Sequence, residues 1–370
     1  MVDDKIQRRK FLYGAATAGV AGLAGCTGSS GGSEDSGSDG GSDSGGDSEE
    51  QSGGDSGGDS SLSLRVGTSG GGTKNVGLAV ERAVSQNSDT LDYATVESPG
   101  YVGTIYRMEQ DQFNGGITDN NSLNKALKDT GSFAEKSVDE IPYFGFMAFP
   151  YSIYIVARDG TGIETFDDLA GKNVYPAQPG YSTRATTLDV WSQEPTKEIF
   201  DQMNIQNMGV SDAPGAMEEG RIDAAIAYGT PGAGYTGWVT EYDARIDVHY
   251  VEPTDALKES AAQYAGAGSS TVAIEDWSMQ QDIGTDEVFT WDLEVNYTFT
   301  PEANPDAVYE LCRVVDEHNG AVNEAEEQFM DFDTTSDMLK SARENIPVHP
   351  GAAQYYKDND AWDDSLTVGE

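Results

Sequence analysis

From residue 62 to residue 251 the apolar residues keep switching between two spacings, and this switching narrows the possible folds more than any other feature of the chain. Leu62 to Thr68 alternates as a strand does, and Val76, Ala79, Val80, Ala83 and Val84 then recur at helical spacing. Asp92 to Glu97 reads as a second strand, Tyr101 to Gln110 as a helix and Gly116 to Asn121 as a strand end. Further on, Ile153 to Arg158, Asn173 to Pro176, Ile222 to Tyr228 and Ile246 to Val251 read as strands. Phe166 to Ala170 reads as a short helix stopped by Gly171, and Thr183 to Trp191 as a longer one. Strand and helix in repetition predict α/β layers on parallel sheets. No repeat of solenoid period is visible.

The stretch before residue 62 is of another kind. Arg8-Arg9 precedes an uncharged run from Phe11 to Ala24, which ends in Leu23-Ala24-Gly25-Cys26. That run is too short for a membrane span and reads as a signal h-region. The twin arginine resembles a Tat signal, and the ending resembles a lipobox, in which Cys26 is the lipid attachment site. Residues 1–26 are thus expected to be an export signal, with the protein anchored on the outer face of the cytoplasmic membrane. Thr27 to Ser61 is almost wholly Gly, Ser, Asp and Glu and cannot bury enough apolar surface to fold. As a flexible tether it reaches roughly 30 to 35 Å.

The body after the tether carries 18 basic and 53 acidic residues. A nucleic-acid binder needs the opposite sign, so that class is set aside. Acids spread along the whole chain look like the solvation strategy of proteins from extreme halophiles, in which molar salt screens self-repulsion. Cys312 is the one cysteine after Cys26 and shares a helical stripe with Val308, Leu311 and Val315, so it reads as buried and no disulfide holds the body.

The glycine-rich turn after the first strand allows three readings. Gly67-Thr68-Ser69-Gly70-Gly71 fits a nucleophile elbow with Ser69 as the nucleophile, but here the strand follows directly on the tether, whereas an elbow comes after several earlier strands. Gly67 to Lys74 is a near miss for a phosphate loop with the wrong residue order. The third reading is a helix N-terminus whose free N–H groups face a ligand. His349, set between Pro347 and Pro350, reads as a hydrogen-bonded packing residue, and no metal or cofactor site is expected from the scattered histidines.

Thr68 to Thr73, Thr165 to Val174 with its Asp-Leu-Ala-Gly-Lys, Glu218 to Ala225 with its Gly-Arg-Ile-Asp-Ala, and Ile346-Pro347-Val348-His349-Pro350-Gly351-Ala352 occur in the order found in the TAXI family, the TRAP-transporter-associated extracytoplasmic solute receptors. The resemblance covers essentially the whole body, and the Pro-x-His-Pro-Gly-Ala ending is its most particular part. It implies a two-lobed α/β fold of the type II periplasmic-binding-protein kind, with a hinge and an inter-lobe ligand cleft. Lobe I would comprise 62–154 and 252–370, and lobe II 155–251. The implied function is capture of a small organic acid or amino acid for a TRAP-type permease by a monomeric receptor without enzymatic activity. The alternatives are a receptor feeding a sensor, or a secreted serine hydrolase using Ser69.

Ligands of open parallel sheets bind outside the carboxyl ends of strands. The loops there place Thr68, Gly70, Gly72, Thr73, Lys74, Asn120, Asn121, Tyr181, Ser182, Thr183, Arg184, Tyr228, Thr230 and Pro231 at the expected cleft. The family's Gly-Thr-Tyr-Tyr run is here Gly72-Thr73-Lys74-Asn75, so Tyr181 of the opposite loop is expected to supply the missing aromatic group. Lys74 and Arg184, each at a helix start, are expected to clamp a mono- or dicarboxylate, with Thr73, Ser182 and Thr183 adding neutral hydrogen bonds.

Overall fold

Two long strands that run antiparallel through the middle of a single sheet organise the molecule. The computed structural model describes residues 62–277 and 279–370; the expected export signal, Cys26 and the expected tether lie outside them. The chain starts with β1 (Leu62–Thr68), α1 (Gly72–Asn87), β2 (Leu91–Glu97), α2 (Gly100–Met108), β3 (Gly115–Asp119) and α3 (Asn120–Leu127). β4 (Tyr143–Arg158) leads out of this half. There follow β5 (Asn173–Tyr175), α4 (Ser182–Trp191), α5 (Glu194–Phe200), β6 (Asn204–Ile205), α6 (Ala213–Glu218), β7 (Ala224–Thr230), β8 (Gly234–Tyr235), α7 (Gly237–Asp243) and β9 (Val248–Tyr250). After α8 (Asp255–Gln263) and β10 (Gly268–Ala273), β11 (Glu287–Phe299) returns to the first half, which α9 (Pro305–Glu317), α10 (Asn319–Ala325) and α11 (Pro350–Asp358) complete.

The strand order is β2-β1-β3-β11-β4-β7-β5-β6. Read inward from either end it has one pattern: a parallel trio with its first strand in the middle, then an antiparallel strand arriving from the other half. The result is a two-lobed α/β fold of type II topology, with β4 and β11 shared between the lobes. β4 pairs with β11 from Tyr143 to Ile153 and with β7 from Ser152 to Ala157, so that Ser152 and Ile153 have a strand on either side. Pro150 lies within the β11 ladder, opposite Glu294.

Local sequence explains most elements. The α1 stripe Val76, Ala79, Val80, Ala83 and Val84 is buried against the sheet, and β4 is apolar on both faces because both are covered. Cys312 is fully buried on α9, where desolvation pushes its thiol well up. β11 was not legible, because its alternate residues Thr290, Asp292, Glu294, Asn296 and Thr298 are polar yet buried. They stay hydrogen-bonded inside: Asp292 accepts from Ser270 and Thr290, Asn296 donates to Asn120 at 2.9 Å, and Glu294 pairs with Arg343. Two expectations need correcting. Asn120 and Asn121 open α3 instead of ending a strand. The segment after Val251 stays with the second half, where α8 packs on α4 and α5 and Ser260 bonds Thr196 at 2.8 Å.

The charge of this body carries its own prediction. With 18 basic against 53 acidic residues, most carboxylates have no cationic partner. Transfer from molar salt to about 10 mM lengthens screening from about 3 Å to about 30 Å, and the expected loss is a few kcal/mol, about 5 °C or more in Tm. Melting by circular dichroism in the two buffers checks it, and equal midpoints would show that the repulsion is absorbed without salt.

Candidate functional site

The crossing strands form the floor of a cleft of about 700 Å³. Tyr151 of β4 and Leu293 of β11 are register partners at the crossing, and both face it. Lobe I contributes the turn Ser69 to Thr73 and the α2 start, Gly100 and Tyr101. Lobe II contributes Gly180 to Thr183, Val210, Tyr228 at the end of β7, and Thr236 to Trp238 at the α7 start.

Helix starts give the cleft its polarity. α1, α2, α4 and α7 all begin in its wall, none has a side-chain cap, and none carries an acid in its first turn. Their free N–H groups and dipoles make this a region of positive potential without a cationic side chain. Gly71, the residue before α1, has φ 73°, a left-handed conformation that glycine tolerates best.

Hydroxyls and rings complete the lining. Thr73 Oγ1 and Tyr101 OH share a hydrogen bond at 3.0 Å, while the buried Thr183 and Thr236 hydroxyls lie near the Tyr228 phenol but make no hydrogen bond of ordinary length to protein. Tyr151 stands edge-on to Tyr228 at 5.7 Å between centroids, and Tyr228 lies 5.9 Å from Trp238. Burial pushes the Tyr151 phenol up to about 12 and the Tyr101 phenol well above its usual value, so both remain neutral donors.

Of the residues expected at the cleft, Gly70, Gly72, Thr73, Tyr181, Ser182, Thr183 and Tyr228 come together in its wall. The others lie elsewhere. Arg184, expected as a clamp, turns into lobe II: its guanidinium donates to the Ala177 carbonyl at 2.7 Å, to the Gln206 carbonyl and to Asn207 Oδ1. Three fixed acceptors hold a buried guanidinium better than an open cleft does. Lys74 points to Glu97 at 2.8 Å on the surface. Thr68 is buried under the turn, Thr230 donates to the Pro150 carbonyl at 2.9 Å, and Pro231 follows beyond the lining.

The two asparagines serve packing. Asn120 donates to Glu294 and to the Ser341 carbonyl. Asn121 donates to Thr186 and Asp189 of α4 and accepts from Tyr264, and one turn on, Lys125 pairs with Asp189 at 2.5 Å. Asn121 and Lys125 fasten α3 of lobe I to α4 of lobe II. The Ser69 hydrolase reading also falls, because the fully buried His349 has both ring nitrogens engaged, by Gly351 N–H and by the Ala303 carbonyl.

Tyr101, Tyr151, Trp238 and Leu293 escaped the sequence reading. The α2 start carries a faint signal in Ser98-Pro99-Gly100, a helix entry with no capping side chain in place. Tyr151 and Leu293 carry none, since only the crossing of β4 and β11 puts them side by side.

Several solved structures share parts of this fold at low similarity. The periplasmic aliphatic sulphonate binding protein SsuA from Escherichia coli aligns at 14% identity over 80% of this chain and 84% of its own, with a TM-score of 0.42. The probable amino-acid ABC transporter extracellular-binding protein ytmK from Bacillus subtilis aligns at 11% identity over 73% and 98%, with a TM-score of 0.41. A periplasmic binding protein of high arginine specificity from Salmonella typhimurium aligns at 13% identity over 73% and 100%, with a TM-score of 0.40. Residues 63–359 match the NMT1-like family, and this chain belongs to that family.

Proposed function

We propose that the protein is an extracytoplasmic solute receptor of the TAXI kind, which captures a small anionic solute between its lobes and delivers it to a TRAP-type permease. The observation that carries this is the convergence of uncapped helix starts from both lobes on one cleft, together with the unpartnered Thr183 hydroxyl in its wall. An anion bridging the N-termini of α1 and α2 on one side and of α4 on the other would hold the lobes closed. The lobes then divide where β4 and β11 cross, at Tyr151 and Leu293, and the Asn121, Lys125 and Asp189 contacts lie beside that hinge. The Tat-like signal, lipid attachment at Cys26 and the acidic tether suit a monomeric receptor held at the outer face of the cytoplasmic membrane in a high-salt medium.

Native mass spectrometry of the protein purified in molar KCl should reveal a bound anion, and calorimetry with that anion should show closure-linked binding. Thr183→Val removes one hydroxyl while keeping shape and is expected to weaken binding by about 1 kcal/mol, near fivefold. Unchanged affinity would remove Thr183 from the site. Failure of any anion to bind would remove the receptor reading.

A further inference from the structure

We infer that the cleft takes a solute with one anionic head and an uncharged apolar or aromatic body, and that it rejects both α-amino acids and dicarboxylates. The inference rests on the anion-receptor reading above and narrows it. Every described residue lining the cleft is neutral. One negative charge is met by helix N-termini and hydroxyls, which bind anions without a counter-ion. Any further charge has no partner of opposite sign in the lining.

An ammonium group would need a carboxylate. Asp119, a buried carboxylate close enough to act on the Tyr101 phenol, is not in the lining and is engaged by the Ser122 N–H at 2.8 Å and hydroxyl at 2.7 Å. A second anionic group would need a cation. Arg184 and Lys74 are engaged away from the cleft, by backbone carbonyls and by Glu97. A desolvated charge left in this way is costly. The remaining wall suits an uncharged body: Tyr151, Tyr228 and Trp238 form a run of edge-on and tilted rings, with Leu293 and Val210 beside them. A cleft of about 700 Å³ admits a ring-sized group.

Matched probes test this by calorimetry on the full chain in molar KCl. 3-Phenylpropanoate differs from phenylalanine by the ammonium alone, and hexanoate differs from adipate by the second carboxylate. The monoanion of each pair is expected to bind about 30-fold or more tightly than its partner. Lys74→Met, at an exposed site outside the lining, should leave that affinity unchanged. Phenylalanine or adipate binding as tightly as its partner, or a loss of monoanion binding in Lys74→Met, overturns the inference and leaves the receptor reading standing. If no carboxylate binds and native mass spectrometry instead finds a neutral or cationic solute, both readings fall together.

Discussion

Replacing Gly351 by alanine is expected to destabilise the protein by about 3 kcal/mol or more, without any change in the ligand site. A Cβ at this position would lie 2.0 Å from the carbonyl oxygen of Pro305 and 2.9 Å from its carbonyl carbon. Both belong to backbone, so no side chain can swing aside. Gly351 is the second residue of α11 and Pro305 the first of α9, and the two helices meet at their starts. His349 ties the same corner, as its Nδ1 accepts from the Gly351 N–H at 3.2 Å and its Nε2 donates to the Ala303 carbonyl at 3.2 Å. Pro350 at the first helical position lacks only an N–H that would have no partner there. The Pro-x-His-Pro-Gly-Ala ending is therefore a helix-joining device. Urea unfolding in molar KCl measures the effect, and a midpoint equal to the parent's would show that the two helix starts separate at no cost.

Arg343→Met is expected to show a strongly pH-dependent cost, about 1 kcal/mol near pH 5 and about 3 kcal/mol near pH 9. Burial pushes the Glu294 carboxyl up to about 7, against the pull of Arg343 and of the Asn120 amide. Raised above its unfolded value, this group contributes stability that is complete below about pH 4.5 and is lost as the pH rises through about 7. Without Arg343 the carboxyl rises further, and the ionised form becomes harder to keep inside. At low pH only hydrogen bonds and packing are lost. His349 acts from the other side: burial pushes it down to about 4, so its contribution is lost as the pH falls from about 6.5 through 4. Unfolding free energies of parent, Arg343→Met and Glu294→Gln at several pH values separate these effects. Glu294→Gln should flatten the alkaline slope, and an Arg343→Met cost that does not vary with pH would show that the pair is not electrostatic.

Much of the frame was legible from residue order. β1 has the bounds that its alternation predicts, α1 buries the stripe that its spacing predicts, and α4 begins one residue from the expected start. Each of these elements buries one face, and a buried face leaves a period in the sequence. The uncapped glycine turn after β1 was legible for a similar reason, since it shows what a helix start lacks. β11 shows the limit of that signal: its polar residues are as buried as its apolar ones, and their partners Ser270, Asn120 and Arg343 lie far away in the chain.

The site divides along the same line. That the β1–α1 turn and the α4 start leave N–H groups free was set by local sequence, because Gly71 and Tyr181 before these helices offer no capping side chain. Which charges would join them was decided only by the tertiary structure. Arg184 stands two residues into α4, beside Ser182 and Thr183, yet it turns inward because Ala177, Gln206 and Asn207 present three acceptors in lobe II. Tyr151 and Leu293 become the floor of the cleft because β4 and β11 are paired antiparallel there. A residue's capacity to bind is local, since it resides in its own atoms; the direction it faces depends on which distant groups satisfy it first, and that competition is resolved only when the chain is folded.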